Sequence, residues 1–296
     1  MTWLQLRLDT EPGQLAELEE RLQAAGAVAV TLEDNADQAL LEPGPGETPL
    51  WNQTRLTGLY AADTDMEGVL ASLPRALREG CTARVEILED KDWEREWMRH
   101  YRPMRFGERL WVCPSWLAPP QPDAVNLLLD PGLAFGTGTH PTTALCLTQL
   151  DGLQLTNAQA VDFGCGSGIL ALAALKLGAR RVLAVDNDPQ ALTASRDNAR
   201  RNGIDEGRLD VALPSAVDSR AWAGRAQVVV ANILAGPLAE LAETLVRLLA
   251  PGGTLILSGL LDSQAETLRT HYATHLDLHV ADSHEGWVCL RGERAH

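Results

Sequence analysis

The stretch most able to do chemistry is Ala160-Val161-Asp162-Phe163-Gly164-Cys165-Gly166-Ser167-Gly168, followed by the apolar run Ile169 to Leu177. It reads as a buried strand ending at Asp162, a glycine-rich turn, and a helix opening near Gly168. Glycines at alternate positions let the backbone turn sharply and let a ligand approach the amides at the helix start. A dinucleotide fingerprint needs Gly-x-Gly-x-x-Gly, and here the sixth position is Ile169. Two further polar groups end apolar strands: Asp186 closes Arg181–Val185, and Asn232 closes Gln227–Ala231. In open parallel sheets ligands bind beyond the carboxyl ends of the strands, so Gly164, Asp186 and Asn232 are expected around one crevice.

The elements that position these residues can be read in order. Residues 3 to 9 alternate as a half-buried strand, and Leu15, Leu18, Leu22 and Ala25 share one helical face ended by Gly26. Strands at 27–32, 54–61 and 82–88 and a helix over 66–77 complete a β-α-β-β-α-β order, that of a small ferredoxin-like α+β domain over residues 1–90. The Pro- and Gly-rich stretch 41–49 reads as a loop. Residues 91–122 hold Trp93, Trp97, Trp111 and Trp116 and close on the proline-rich Ala118 to Pro122. They are expected to be an interdomain linker, with Trp93 and Trp97 stacked on one helix face. From 123 to 296 strands and helices alternate. The glycine-rich 130–140 leads to a helix over 142–150 opened by Pro141, with a hydroxyl as its expected cap. Later helices are expected at 169–177, 189–202, 237–249 and 263–272. Later strands are expected at 209–213, 254–258, 276–281 and 287–291, with a turn at Pro251-Gly252-Gly253. His140 taken alone has two readings, a packed histidine and a ligand-facing one.

Composition bounds the function. No apolar run reaches the roughly 18 residues of a membrane span, and no basic-then-apolar signal opens the chain, so a cytoplasmic protein is expected. Five scattered cysteines without a Cys-x-x-Cys pair argue against disulfides and zinc. His271, His275 and His279 recur at intervals of four, but the strand-like alternation after Leu276 breaks that face, and no metal is expected. The net charge is −15, and residues 1–90 carry 17 acidic residues against six arginines, a balance of −11. Such a surface repels nucleic acid and suits a basic protein partner, and on charge alone it equally serves to keep a protein in solution.

The Gly-x-Gly-x-Gly loop after an acidic strand end, with Asp186 closing the next strand, resembles the first motifs of class I S-adenosyl-L-methionine (AdoMet) methyltransferases. Further motifs narrow the resemblance. Asp92-Trp93-Glu94-Arg95-Glu96-Trp97, Pro103-Met104-Arg105-Phe106-Gly107-Glu108-Arg109-Leu110, the run Leu133 to Thr143, Asp162 to Gly168 and Asn232-Ile233-Leu234-Ala235 together resemble the ribosomal protein L11 methyltransferase family over nearly the whole chain. The resemblance implies a Rossmann-like class I methyltransferase domain with a seven-stranded, mostly parallel sheet. It also implies AdoMet as cofactor, and trimethylation of the N-terminal α-amine and of lysines on a large-subunit ribosomal protein held by residues 1–90. By the family pattern the cofactor contacts fall on Thr143, Gly164, Asp186 and Asn232; Gly166, Phe163 and His140 are carried with them on the cofactor side. Asn232 and the Ile233 carbonyl are expected to orient the amine. On the residues alone, an RNA or metabolite methyltransferase and a silent AdoMet-binding module stay open beside this reading.

Overall fold

The computed structural model describes residues 2–35, 52–79, 81–88, 101–130, 138–217 and 219–296. The 41–49 loop, Trp93, Trp97 and most of the 130–140 glycine run lie outside the described residues. The chain divides into two units, Met1–Arg99 and His100–His296.

The first unit runs β1 (Trp3–Thr10), α1 (Leu15–Ala24), β2 (Ala29–Asp34), β3 (Thr54–Ala61), α2 (Met66–Ser72), α3 (Arg75–Glu79) and β4 (Thr82–Leu88). Its antiparallel sheet has the order β2-β3-β1-β4. Leu6, Leu8, Leu56 and Tyr60 from the sheet meet Leu18 and Leu22 of α1 in one core. The single helix expected over 66–77 is two, because Pro74 forces Leu73 out of helical geometry (ψ 134°). On the opposite sheet face the charges pair across strands. Arg55 donates to both oxygens of Asp9 at 2.7 and 3.0 Å, and Arg7 lies 3.0 Å from Glu86. Hydrogen bonding from Arg55 holds the Asp9 carboxyl below its usual pKa.

The second unit opens with β5 (Met104–Phe106), β6 (Leu110–Cys113) and β7 (Val125–Leu128), which form a three-stranded sheet of their own. Much of the expected 91–122 linker is therefore built structure: Phe106, Leu110 and Val112 are buried in the same core as the central sheet's helices. Next come α4 (Pro141–Asp151), β8 (Gln159–Phe163), α5 (Ile169–Lys176), β9 (Arg181–Val185), α6 (Pro189–Arg201), β10 (Leu209–Ala212), α7 (Ser219–Trp222) and β11 (Ala226–Asn232). The chain closes with α8 (Ala235–Glu240), α9 (Ala242–Leu248), β12 (Leu249–Leu261), α10 (Asp262–Tyr272), β13 (Leu278–His284) and β14 (Trp287–Glu293).

The seven-stranded sheet has the order β10-β9-β8-β11-β12-β14-β13, parallel from β10 to β12, with β14 antiparallel between β12 and β13. This is the mostly parallel class I methyltransferase arrangement, and its strand order reverses between β8 and β11, the point at which open α/β sheets bind their ligands. Apolar layers cover both faces. Helices α4 and α5 pack with Ala160, Val182 and Val228 on one side, and Trp222, Leu238, Leu245 and Tyr272 pack with Val161, Val229 and Leu257 on the other. Residues Ile169 to Leu175 are all buried, as a helix apolar on every side requires. The expected turn at Pro251–Gly253 lies inside β12. Gly252 donates to the Arg294 carbonyl at 2.8 Å and Arg294 donates back to Gly253 at 2.9 Å, so the tail carries the ladder through the glycines. The 237–249 helix begins earlier, at Ala235, and is split at Leu241; nothing in the local sequence explains the split.

Tyr272 is fully buried and its hydroxyl donates to the Leu238 carbonyl at 2.7 Å, tying α10 to α8. Tyr272→Phe is expected to lower unfolding stability by about 1–2 kcal/mol, read by urea denaturation.

Candidate active site

The crevice is built around the β8–α5 turn. Asp162 is 0% exposed, and its Oδ2 accepts from the Ala171 amide at 2.9 Å. Gly168, the residue before α5, offers no side-chain cap, so a carboxylate on the preceding strand serves one of the helix's open amides and favours its positive end. Asp162 Oδ1 is buried with no hydrogen-bond partner. Burial first, and then the charge of Asp186, push this carboxyl up to about 7 against the opposing pull of the Ala171 hydrogen bond.

Two glycines of the turn are dictated by space as well as by backbone. Gly164 (φ +82°) is roofed by the Ile233 side chain, and Gly168 (φ +80°) by Ser195; a Cβ at either would collide. Helix α6 ties the loop from behind. Ser195 Oγ donates to the Gly166 carbonyl at 3.0 Å, and Asn198 donates to the Ser167 carbonyl at 2.9 Å. On the other side the Gly166 amide donates to Asp186 Oδ2 at 2.8 Å, while Asp186 Oδ1 accepts from Asp188 at 3.0 Å. The half-buried Asp186 is thus aimed by two amides, and each oxygen keeps a lone pair for a ligand. The Asp186 carboxylate in front of a glycine cradle repels phosphate. It suits a neutral ribose on a nucleoside that carries positive charge, so these residues fit AdoMet.

Asn232 stands at the end of β11, the strand next to β8. Its Nδ2 donates to Thr143 Oγ1 at 3.2 Å. The next residue, Ile233, lies over Gly164, and its carbonyl faces Gly259 (φ +92°), where a Cβ would strike it. The end of β11 and the glycine turn therefore touch.

The structure brings together Gly164, Gly166, Asp186, Asn232, Ile233 and Thr143, with three qualifications of the sequence reading. Thr143 is fully buried, and its hydroxyl is taken by Asn232. Phe163 belongs to the hydrophobic cluster with Val185 and Val229, so its side chain packs the core and only its backbone adjoins the cradle. His140 is itself the cap of α4, in place of the expected hydroxyl. Its Nδ1 accepts from the Thr142 amide at 3.3 Å and lies 2.7 Å from the Thr142 hydroxyl, while its ring meets Trp287 edge-on at 4.9 Å. Burial lowers the His140 pKa, opposed by Glu285, and its Nδ1 is used by the cap. Gly259, Ser195, Asn198 and Trp287 were not singled out from sequence; of these, only Gly259, which follows the apolar run expected as a strand at 254–258 and lies within β12, carries a local signal. Among the described residues no group of three metal-ligating side chains comes together. His271 lies on α10, His275 beyond it and His279 on β13.

The family model for ribosomal protein L11 methyltransferase (PrmA) matches residues 2–295. A ribosomal protein L11 methyltransferase of Pseudomonas aeruginosa (strain LESB58) is 56% identical over 297 residues, covering 99% of each chain. One from Salmonella heidelberg (strain SL476) is 53% identical over 99% of this chain and 100% of its own. The crystal structure of a ribosomal protein L11 methylase from Lactobacillus delbrueckii subsp. bulgaricus superposes with a TM-score of 0.57 at 34% identity, covering 66% of this chain and 100% of that one.

The raised Asp162 pKa has a signed consequence. Between the ordinary carboxylate value and about 7, the folded chain holds a proton that the unfolded chain has lost. The stability this contributes is complete at low pH and disappears as pH rises through about 7. Asp162→Asn is expected to flatten that fall in a series of urea denaturations across pH; an unchanged slope would assign the buried proton elsewhere.

Proposed function

The chain belongs to the ribosomal protein L11 methyltransferase family, and from that membership we propose that it trimethylates the N-terminal α-amine and lysine side chains of ribosomal protein L11. That it is an AdoMet-dependent methyltransferase follows from the family; the amines and the degree of methylation are our reading. The observation that supports it most directly is the contact of Ile233 with Gly164, which sets an amine-accepting strand end against the cofactor cradle.

When bound, AdoMet supplies a methyl group on a sulfonium, open to in-line displacement: a nitrogen–carbon bond forms as the carbon–sulfur bond breaks. The nucleophile must be a neutral amine, and a lysine of pKa about 10.4 is neutral in only about one part in a thousand near pH 7.4. The chain's contribution is therefore to select and aim the neutral form. Asn232 Nδ2 donates to Thr143, and in this scheme Oδ1 is the acceptor that meets the amine. With the Ile233 carbonyl it receives amine hydrogens and points the lone pair, a positioning effect. His140 is no base in this scheme, since its acceptor nitrogen caps α4.

Asp186, aimed by Gly166 and Asp188, takes the ribose. The first unit is the recognition module for the basic substrate: its −11 balance steers a cationic protein, and its open sheet face is internally paired. No nucleic acid contact belongs to the proposal. We place the activity in the cytoplasm with its ribosomal substrate; no described helix is long and apolar enough to cross a membrane.

Transfer of radiolabelled methyl from AdoMet into ribosomal protein, RNA or neither tests the assignment, and label in RNA would overturn it. Asp186→Ala is expected to weaken AdoMet binding by roughly 1.5–3 kcal/mol, the worth of hydrogen bonds to a charged acceptor, measured calorimetrically. Asn232→Ala should instead lower kcat more than AdoMet affinity, and the reverse pattern would remove its orienting role. The KM for protein should climb with ionic strength while AdoMet affinity changes little; a salt-independent KM would remove charge from recognition.

A further inference from the structure

The motif Pro103–Leu110 has no part in the site described above, yet it touches both ends of the helix that supports it. Met104 and Phe106 of β5 pack against Gly138, two residues before the His140 cap. A side chain at Gly138 would meet Met104 Cε at 3.5 Å and Phe106 Cζ at 3.7 Å. At the far end, the turn Gly107-Glu108-Arg109 closes on Asp151, the last residue of α4. The Glu108 and Arg109 amides donate to Asp151 Oδ2 at 2.7 and 3.2 Å. Asp151 Oδ1 makes no hydrogen bond but lies 3.4 Å from Arg109 Nε. The Arg109 guanidinium also donates to the carbonyls of Asp151 and Leu153. Gly107 (φ +68°) has no space for a side chain, since a Cβ would collide with the Asp151 carboxylate.

Asp151 is an adverse choice for the helix alone. It is 4% exposed, and a negative charge at a helix C-terminus opposes the macrodipole. A buried carboxylate is tolerated only when it is hydrogen-bonded or paired with charge, and here one three-residue turn gives Oδ2 two amides and sets a guanidinium beside Oδ1. Between this point and Thr143 lie seven residues of helix, four of them buried, and the axial rise from Thr143 to Asp151 is about 12 Å.

We propose that Asp151 and the Gly107-Glu108-Arg109 turn anchor α4 in its axial position and rotation, making Asp151 and Arg109 positioning residues for methyl transfer that act through Thr143 on Asn232. At 3.2 Å the Thr143–Asn232 bond is at the long end of the normal range, so a small slide or rotation of α4 breaks it. The inference rests on the role given to Asn232 above.

A double-mutant cycle in the full-length enzyme tests it, using Asp151→Asn, Thr143→Val and the pair, with kcat and the KM for ribosomal protein as readouts. Asn keeps the shape of Asp151 but sets an amide against the guanidinium. Asp151→Asn is expected to lower kcat about tenfold with KM for protein unchanged, and by less than about twofold in the Thr143→Val background, as for residues acting through one path. If Asp151→Asn does not fold, Arg109→Lys, which keeps the charge but not the fork, carries the same cycle. Equal losses in both backgrounds, or a lowered Tm with unchanged kcat, overturn the anchor while leaving the Asn232 reading intact. Thr143→Val and Asn232→Ala both without effect on turnover would overturn that reading and the anchor with it.

Discussion

One buried hydrogen bond, from the Ala171 amide to Asp162, fixes how strand β8 passes into helix α5. With a glycine as the helix's leading residue, the first turn of α5 depends on an acceptor that the strand itself carries. The cradle backbone is then held from three sides: Asp162 beneath, Ser195 and Asn198 behind, and Asp186 in front. The partners behind take carbonyls, so the loop's orientation follows from which atoms are occupied. Its shape is set before any ligand arrives, the condition under which binding energy is not lost to ordering the site.

The second-unit sheet was legible because each central strand is a short apolar run between glycine, proline or acidic punctuation, and burial on both faces requires that composition. The pieces that sequence did not reveal are those in which tertiary contacts override local pattern. Strands β5 and β6 have three and four residues and sit among charges, so no periodicity marks them; pairing with β7 and burial of Phe106, Leu110 and Val112 create them. Strand β12 runs through Pro251-Gly252-Gly253 because the tail comes back to pair with it. Pro74, by contrast, was a local signal that a helix over 66–77 ignored.

The site was legible as far as residue type and strand position reach. Gly164, Asp186 and Asn232 fall where a parallel sheet delivers them. Side-chain direction is another matter. Phe163 and Asp162 are neighbours on one strand and so point to opposite faces. Asp162 serves the α5 amide, while Phe163 lies in the core on the other side. Likewise His140 and Thr143 stand in a row that suggests two ligand contacts, yet one caps the helix and the other holds Asn232. Motif membership shows that a residue belongs to the site; hydrogen-bond accounting shows in what capacity.

The placing of β14 between β12 and β13 bears on how such a chain matures during synthesis. Strand β13 is made first but finds no neighbour in the sheet until β14 arrives, and β14 also brings Val288, whose carbonyl receives Ser258, and Trp287, which meets His140. A nascent chain emerges from its amino end and its domains fold as units, so the segments that carry the glycine cradle and Asp186 are made before the strands that complete their sheet. The flank of the crevice next to α4 waits on β14, the strand that brings Trp287 to His140.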